Sequence, residues 1–102
     1  VRIHMINKEN IYNNLLRLVE VPSISGTIGE VKAAYRIEEL LYEIPYFSLH
    51  RENVRLIPIE GDPFDRCIVT AYLDLEPDCP ETVILTGHYD VVDVEEYGSD
   101  AP

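Results

Sequence analysis

Two side chains suited to metal or proton chemistry stand two residues apart late in the sequence: His88 and Asp90, in Thr86-Gly87-His88-Tyr89-Asp90-Val91-Val92. Upstream lies Val83-Ile84-Leu85, a β-branched and aliphatic run that reads as a buried strand. An extended chain alternates its faces with period two, so His88 and Asp90 project to one side and Tyr89 to the other. In that arrangement Asp90 can accept a hydrogen bond from one ring nitrogen of His88. The bond fixes the tautomer and leaves the second nitrogen free to bind a cation. In open α/β sheets functional crevices form outside the carboxyl ends of strands, which is where this pair falls. A His-x-Asp step taken alone is a weak signal, more often a satisfied histidine and a solvated aspartate where a strand runs out, so the surrounding elements carry weight.

Those elements are read from periodicity and punctuation. Residues 7–20 predict an amphipathic helix: Ile11, Leu15, Leu18 and Val19 form an i, i+4, i+7, i+8 stripe, and Asn7 is placed to cap the first free N–H groups. Pro22 bars a helical conformation at Val21 and ends that helix. Val21-Pro22-Ser23-Ile24-Ser25-Gly26 is a turn-rich linker whose hydroxyls can cap the next element. A second helix is expected from Thr27, with a Thr27/Glu30 capping box, to about Glu43, and Pro45 stops it. Glu38 interrupts its apolar side and is expected at the edge of the stripe, in solvent. Tyr46-Phe47-Ser48-Leu49-His50 reads as a short connector, with His50, like His4, on the surface.

From Asn53 the period changes to that of strands. Val54–Ile59 contains Pro58 and belongs near a sheet edge. Gly61-Asp62-Pro63 is a turn, Arg66–Leu73 is a β-branched strand, and Leu75–Glu81 is a loop of turn formers. Thr82–Thr86 is then a buried third strand, expected to pair with Arg66–Leu73 as an antiparallel hairpin. The expected fold class is α/β: two helices followed by about three strands in a single partial domain, residues 1–102.

Composition narrows the function classes. An apolar content of 46% with 26% charged residues is that of a globular chain. A formal net charge of −11 opposes an electrostatic nucleic-acid footprint, so no nucleic-acid partner is expected. No apolar run approaches the ~20 residues that span a bilayer, so no membrane role is expected. Val1–Asn10 lacks the pattern of a signal peptide, and the default location is the cytoplasm. Cys67 and Cys79 are too few for a disulfide framework and read as free thiols. Asp93, Glu95, Glu96 and Asp100 form an acidic tail that reads as a solvated loop without calcium-loop spacing.

The string Leu85-Thr86-Gly87-His88-Tyr89-Asp90-Val91-Val92 resembles the first metal-site motif of the M20 metallopeptidase family, the zinc-dependent aminoacylase and carboxypeptidase group. Val21-Pro22-Ser23-Ile24-Ser25-Gly26 is similar to the loop after that family's first helix. Asp93-Val94-Glu95-Glu96-Tyr97-Gly98 resembles its RocB-like branch, associated with arginine and amino-acid degradation. The resemblance implies that His88 is a zinc ligand. It places Asp90 in the catalytic machinery as the carboxylate that orients that ligand.

The family's remaining ligands, and its glutamate base, come from sequence beyond this motif. A catalytic zinc needs about three protein ligands. The 102-residue polypeptide is therefore expected to be the N-terminal portion of a larger hydrolase and inactive by itself. The complete enzyme would carry two zinc ions and cleave amide bonds of peptides or N-acyl amino acids. The competing reading is a non-catalytic α/β interaction module, whose open sheet edges would favour a partner or a homo-oligomer.

Overall fold

The computed structural model describes residues 7–76 and 78–93. Expectations for His4, Pro77, Glu95, Glu96 and Asp100 lie outside the described residues. The chain is a mixed α/β structure in which helices precede a small antiparallel sheet.

Helix α1 spans Lys8–Val19 and is capped as its sequence implies. Asn7 is extended (φ −98°, ψ 116°), and its Oδ1 accepts from the N–H groups of Glu9 at 2.9 Å and Asn10 at 3.3 Å. Helix α2 spans Gly29–Tyr42. Two arginines fasten the pair: Arg17 donates to Glu43 Oε1 at 2.7 Å, and Arg36 donates to the Arg17 carbonyl, one of the orphan acceptors at the end of α1, at 2.6 Å.

The start of α2 differs from the capping-box expectation. Ile28 is already helical (φ −62°, ψ −17°) and occupies the cap position without a side-chain bond. Thr27 Oγ1 instead donates to the Ile24 carbonyl at 2.6 Å and accepts from Gly29 N–H at 3.2 Å. Glu30 reaches back past Thr27 to the N–H of Gly26 at 2.7 Å. The helix start is closely packed at the same place: a Cβ on Gly29 would sit 1.9 Å from the Pro22 carbonyl oxygen. Only glycine lets the linker lie against the helix here.

Pro45 ends α2 but also begins a short helix, α3 (Pro45–Leu49), because a proline is tolerated in a first turn where its missing N–H has no partner to lose. The segment read as a connector is thus one helical turn, and Phe47 is buried in it. A 3₁₀ turn at Arg51–Asn53 leads into strand β1 (Val54–Pro58), which pairs antiparallel with β2 (Cys67–Ala71), in register from Val54 opposite Ala71 to Pro58 opposite Cys67. The intervening turn is braced by Asp62, whose Oδ2 accepts from the N–H groups of Phe64 (3.1 Å) and Arg66 (2.9 Å). The buried apolar residues are Ala33 and Ala34 of α2, Phe47 of α3 and Val54 of β1, so α2 is the element against which the others pack.

The sheet among the described residues has two strands, not about three, and its pairing is β1 with β2. Thr82–Thr86 forms no ladder, and its apolar side chains are open to solvent: Val83 is 84%, Ile84 79% and Leu85 91% exposed. A strand needs a partner edge, and on β2 the Cys67 carbonyl is met by the Tyr89 hydroxyl, at 3.0 Å, rather than by an N–H of residues 82–86. Glu38 also departs from expectation, being half-buried beside Cys67 rather than in solvent. Among the described residues, no helix is long and apolar enough to cross a membrane.

Candidate functional site

The linker after α1 and the segment carrying His88 are joined by a short backbone clamp. Ile24 and Val91 form an isolated parallel bridge, in which Val91 N–H donates to the Ser23 carbonyl and Ser25 N–H donates to the Val91 carbonyl, both at 2.9 Å. The Ser23 hydroxyl adds a bond to the Tyr89 carbonyl. Residues 23 and 25 of an extended segment face the same way, and both serines here face the His88 segment. Their hydroxyls read in the sequence as caps for α2; in the structure they hold residues 89–91 instead.

The clamp is anchored from below by charge. Glu30, almost buried at the first turn of α2, accepts from Gly26 N–H and from Arg66 Nη1 at 3.1 Å. Arg66 is also gripped by Asp62, through Nε to Oδ1 at 2.8 Å. The Arg66 guanidinium holds the Asp62 carboxyl down to about 2, and the two carboxylates raise Arg66 in turn. One arginine therefore ties the β1–β2 turn, the start of α2 and the linker into a single unit.

On that unit, His88 and Asp90 lie on one side and Tyr89 turns to the other, as period two requires. His88 Nδ1 is 3.1 Å from Asp90 Oδ1 and 3.2 Å from the Asp90 carbonyl oxygen. Both neighbours are acceptors, which assigns a proton to Nδ1; in the neutral form of the ring the lone pair is then on Nε2. The imidazole is open, with 85% of the side chain exposed. Ser25 Oγ donates to the other carboxylate oxygen, Asp90 Oδ2, at 2.6 Å. Asp90 is held below the usual carboxylate range, first by the Ser25 hydrogen bond and then by the charge and hydrogen bond of His88.

Behind the pair is an apolar cleft lined by Leu18, Ile37, Leu41 and Val69, with Glu30 and Tyr89 at its polar side. Burial pushes the Cys67 and Tyr89 groups up, so Cys67 stays a thiol and Tyr89 a protonated phenol. Cys79 is exposed, and both cysteines are free. His50 is half-exposed against the Tyr46 ring, with centroids 4.5 Å apart, remote in sequence and contacts from His88.

Among the described residues, no group of three or more His, Cys, Asp or Glu side chains is gathered to hold a metal ion. What the geometry offers is one ligand: a bare imidazole nitrogen whose tautomer is set by a carboxylate. That fits one position of a zinc centre, and the other ligands of such a centre must come from elsewhere.

Comparison with known proteins bears on the same residues. Over 95 residues the chain is 32% identical to Protein RocB of Bacillus subtilis, a match covering 93% of this chain and 17% of that protein. The chain is similar to RocB. It is also 36% identical over 91 residues to the Uncharacterized protein YqjN of the same organism, covering 89% of this chain and 16% of that protein. The chain thus spans about a sixth of the length of these relatives. No family model matches it, and no solved structure matches it.

Proposed function

We propose that this chain supplies one metal ligand and its orienting carboxylate to an M20-like zinc hydrolase acting on amide bonds of peptides or N-acyl amino acids, in arginine or amino-acid degradation. The observation that carries the reading is the His88–Asp90 pair, with Nδ1 turned onto the carboxylate at 3.1 Å and Nε2 left bare. Similarity to RocB supports it, because the residues after the Gly-His-x-Asp-Val-Val string resemble the RocB-like branch of that family.

In this reading residues 1–102 form part of a larger catalytic domain that operates in the cytoplasm. His88 would hold a zinc ion through Nε2, with Asp90 keeping Nδ1 protonated and the ring from rotating. The chemistry such an ion would supply is polarisation of a scissile carbonyl and a lowered pKa for its bound water. The chain's own part is to present the ligand, fix its proton and cover one side of the site with the apolar cleft. Further ligands and a base belong to other parts of the protein, and the isolated polypeptide is inactive.

The test is zinc content, measured by atomic absorption on the natural full-length protein. His88→Ala should lower occupancy sharply. Asp90→Ala should weaken binding by roughly 10- to 100-fold, as loss of a group orienting a ligand does. Wild-type zinc content in both variants refutes the proposal.

A further inference from the structure

We propose that Ser25 is a positioning residue for the His88 site: its hydroxyl holds the Asp90 carboxylate, and through it the His88 ring, in the orientation that bares Nε2. The inference rests on the metal-ligand reading of His88 given above and extends it to a residue in the linker after α1.

Three observations carry it. First, the two oxygens of Asp90 are divided between two partners, Oδ2 to Ser25 Oγ at 2.6 Å and Oδ1 to His88 Nδ1 at 3.1 Å. Rotation of the carboxylate breaks both bonds together and would leave Nδ1 only the Asp90 carbonyl oxygen at 3.2 Å, so the hydroxyl limits a torsion that loosens the ring. Second, Ser25 does not depend on its side chain for its place. Its N–H is bonded to the Val91 carbonyl at 2.9 Å, and Val91 returns a bond to Ser23, so the backbone clamp survives loss of the hydroxyl. Third, the hydroxyl has one proton and two acceptors in reach, Asp90 Oδ2 at 2.6 Å and the Val91 carbonyl at 3.3 Å. The nearer and charged acceptor takes it.

The order of groups also excludes a Ser25–His88–Asp90 nucleophilic triad. In a serine hydrolase the imidazole lies between hydroxyl and carboxylate and removes the hydroxyl proton. Here the carboxylate lies in the middle, bonded to Ser25 through one oxygen and to His88 through the other. Ser25 therefore reaches the imidazole only through Asp90.

The experiment compares wild type, Ser25→Ala, Ser25→Thr and His88→Ala in the natural full-length protein. Zinc affinity is measured by chelator competition, and the His88 tautomer by NMR of metal-free protein labelled with nitrogen-15 histidine, with His88→Ala assigning the signals. Ser25→Ala should convert a single Nδ1–H tautomer into a mixture and weaken zinc about tenfold, the low end for an orienting group. Ser25→Thr keeps a hydroxyl and should restore both, which a merely structural loss would not do. An unchanged tautomer in Ser25→Ala overturns the inference. So does unchanged zinc affinity in Ser25→Ala when His88→Ala loses the metal. Retention of zinc by His88→Ala overturns the reading of His88 as a ligand, and is recognised by that variant alone.

Discussion

Gly29→Ala tests whether the site depends on how closely the linker lies against α2. Elsewhere in a helix this substitution stabilises, by up to about 1 kcal/mol, because alanine loses less backbone freedom on folding. At Gly29 the new Cβ would stand 1.9 Å from the Pro22 carbonyl oxygen, whereas ordinary contact begins at 3.4 Å, so the backbone must move by 3.4 − 1.9 = 1.5 Å. A displacement of that size at Pro22 reaches Ser23, whose carbonyl accepts from Val91 N–H at 2.9 Å. Overpacking of this kind costs about 1–3 kcal/mol, which outweighs the gain in helix propensity. Gly29→Ala should therefore destabilise by about 1–2 kcal/mol in urea denaturation. It should also shift the His88 ring signals in NMR by loosening the clamp on residues 89–91, although Gly29 touches neither His88 nor Asp90. Stability at or above wild type would refute the argument from close approach.

Individual bonds set further expectations. Asn7→Ala removes the acceptor for two free N–H groups of α1 and should cost about 1 kcal/mol, read by thermal unfolding. Tyr46→Phe strips a hydroxyl that accepts from Asn53 Nδ2 at 3.0 Å and Asp74 N–H at 2.9 Å, and a loss of about 1–3 kcal/mol is expected from the donors left behind. Asp62 titrates at about 2 in the folded chain against an ordinary 3.8. Its contribution to stability is thus fully present above the ordinary value and is lost as pH falls towards 2. Asp62→Asn should flatten the acid limb of a stability-versus-pH curve in that window, and an unchanged limb would remove Asp62 from the explanation. The open Val83–Leu85 run should make the isolated polypeptide self-associate in sedimentation experiments, and Leu85→Lys should reduce the association.

Both main helices were legible because their signals are local. Asn7 needs only its next three residues to act as a cap, and Pro22 and Pro45 act on the residues beside them. The His88–Asp90 geometry was legible for the same reason, since period two alone puts the pair on one face. Three features were not local. Ser25 looked like a helix cap, yet its partner is 65 residues away in Asp90. Glu30 fitted a capping box, but its bond goes to the N–H of Gly26 rather than Thr27, and Arg66, 36 residues away, joins it there. The Thr82–Thr86 run has the residues of a buried strand, but pairing is a property of two edges. Here Tyr89 meets β2 through its hydroxyl, and the run gains no ladder.

The bridge between Ile24 and Val91 also dictates an order of assembly. Ser23 and Tyr89 are 66 residues apart, so closing that contact first would cost roughly 3.7 kcal/mol of chain entropy, from (3/2)RT ln 66. Joining the helices and the β1–β2 turn beforehand shortens the effective loop. The Ser23–Tyr89 and Ser25–Asp90 contacts are therefore expected to close last, after the contacts of short sequence span are made. Until then Asp90 lacks the Ser25 hydroxyl that holds its second carboxylate oxygen, and the His88–Asp90 pair stands without its brace.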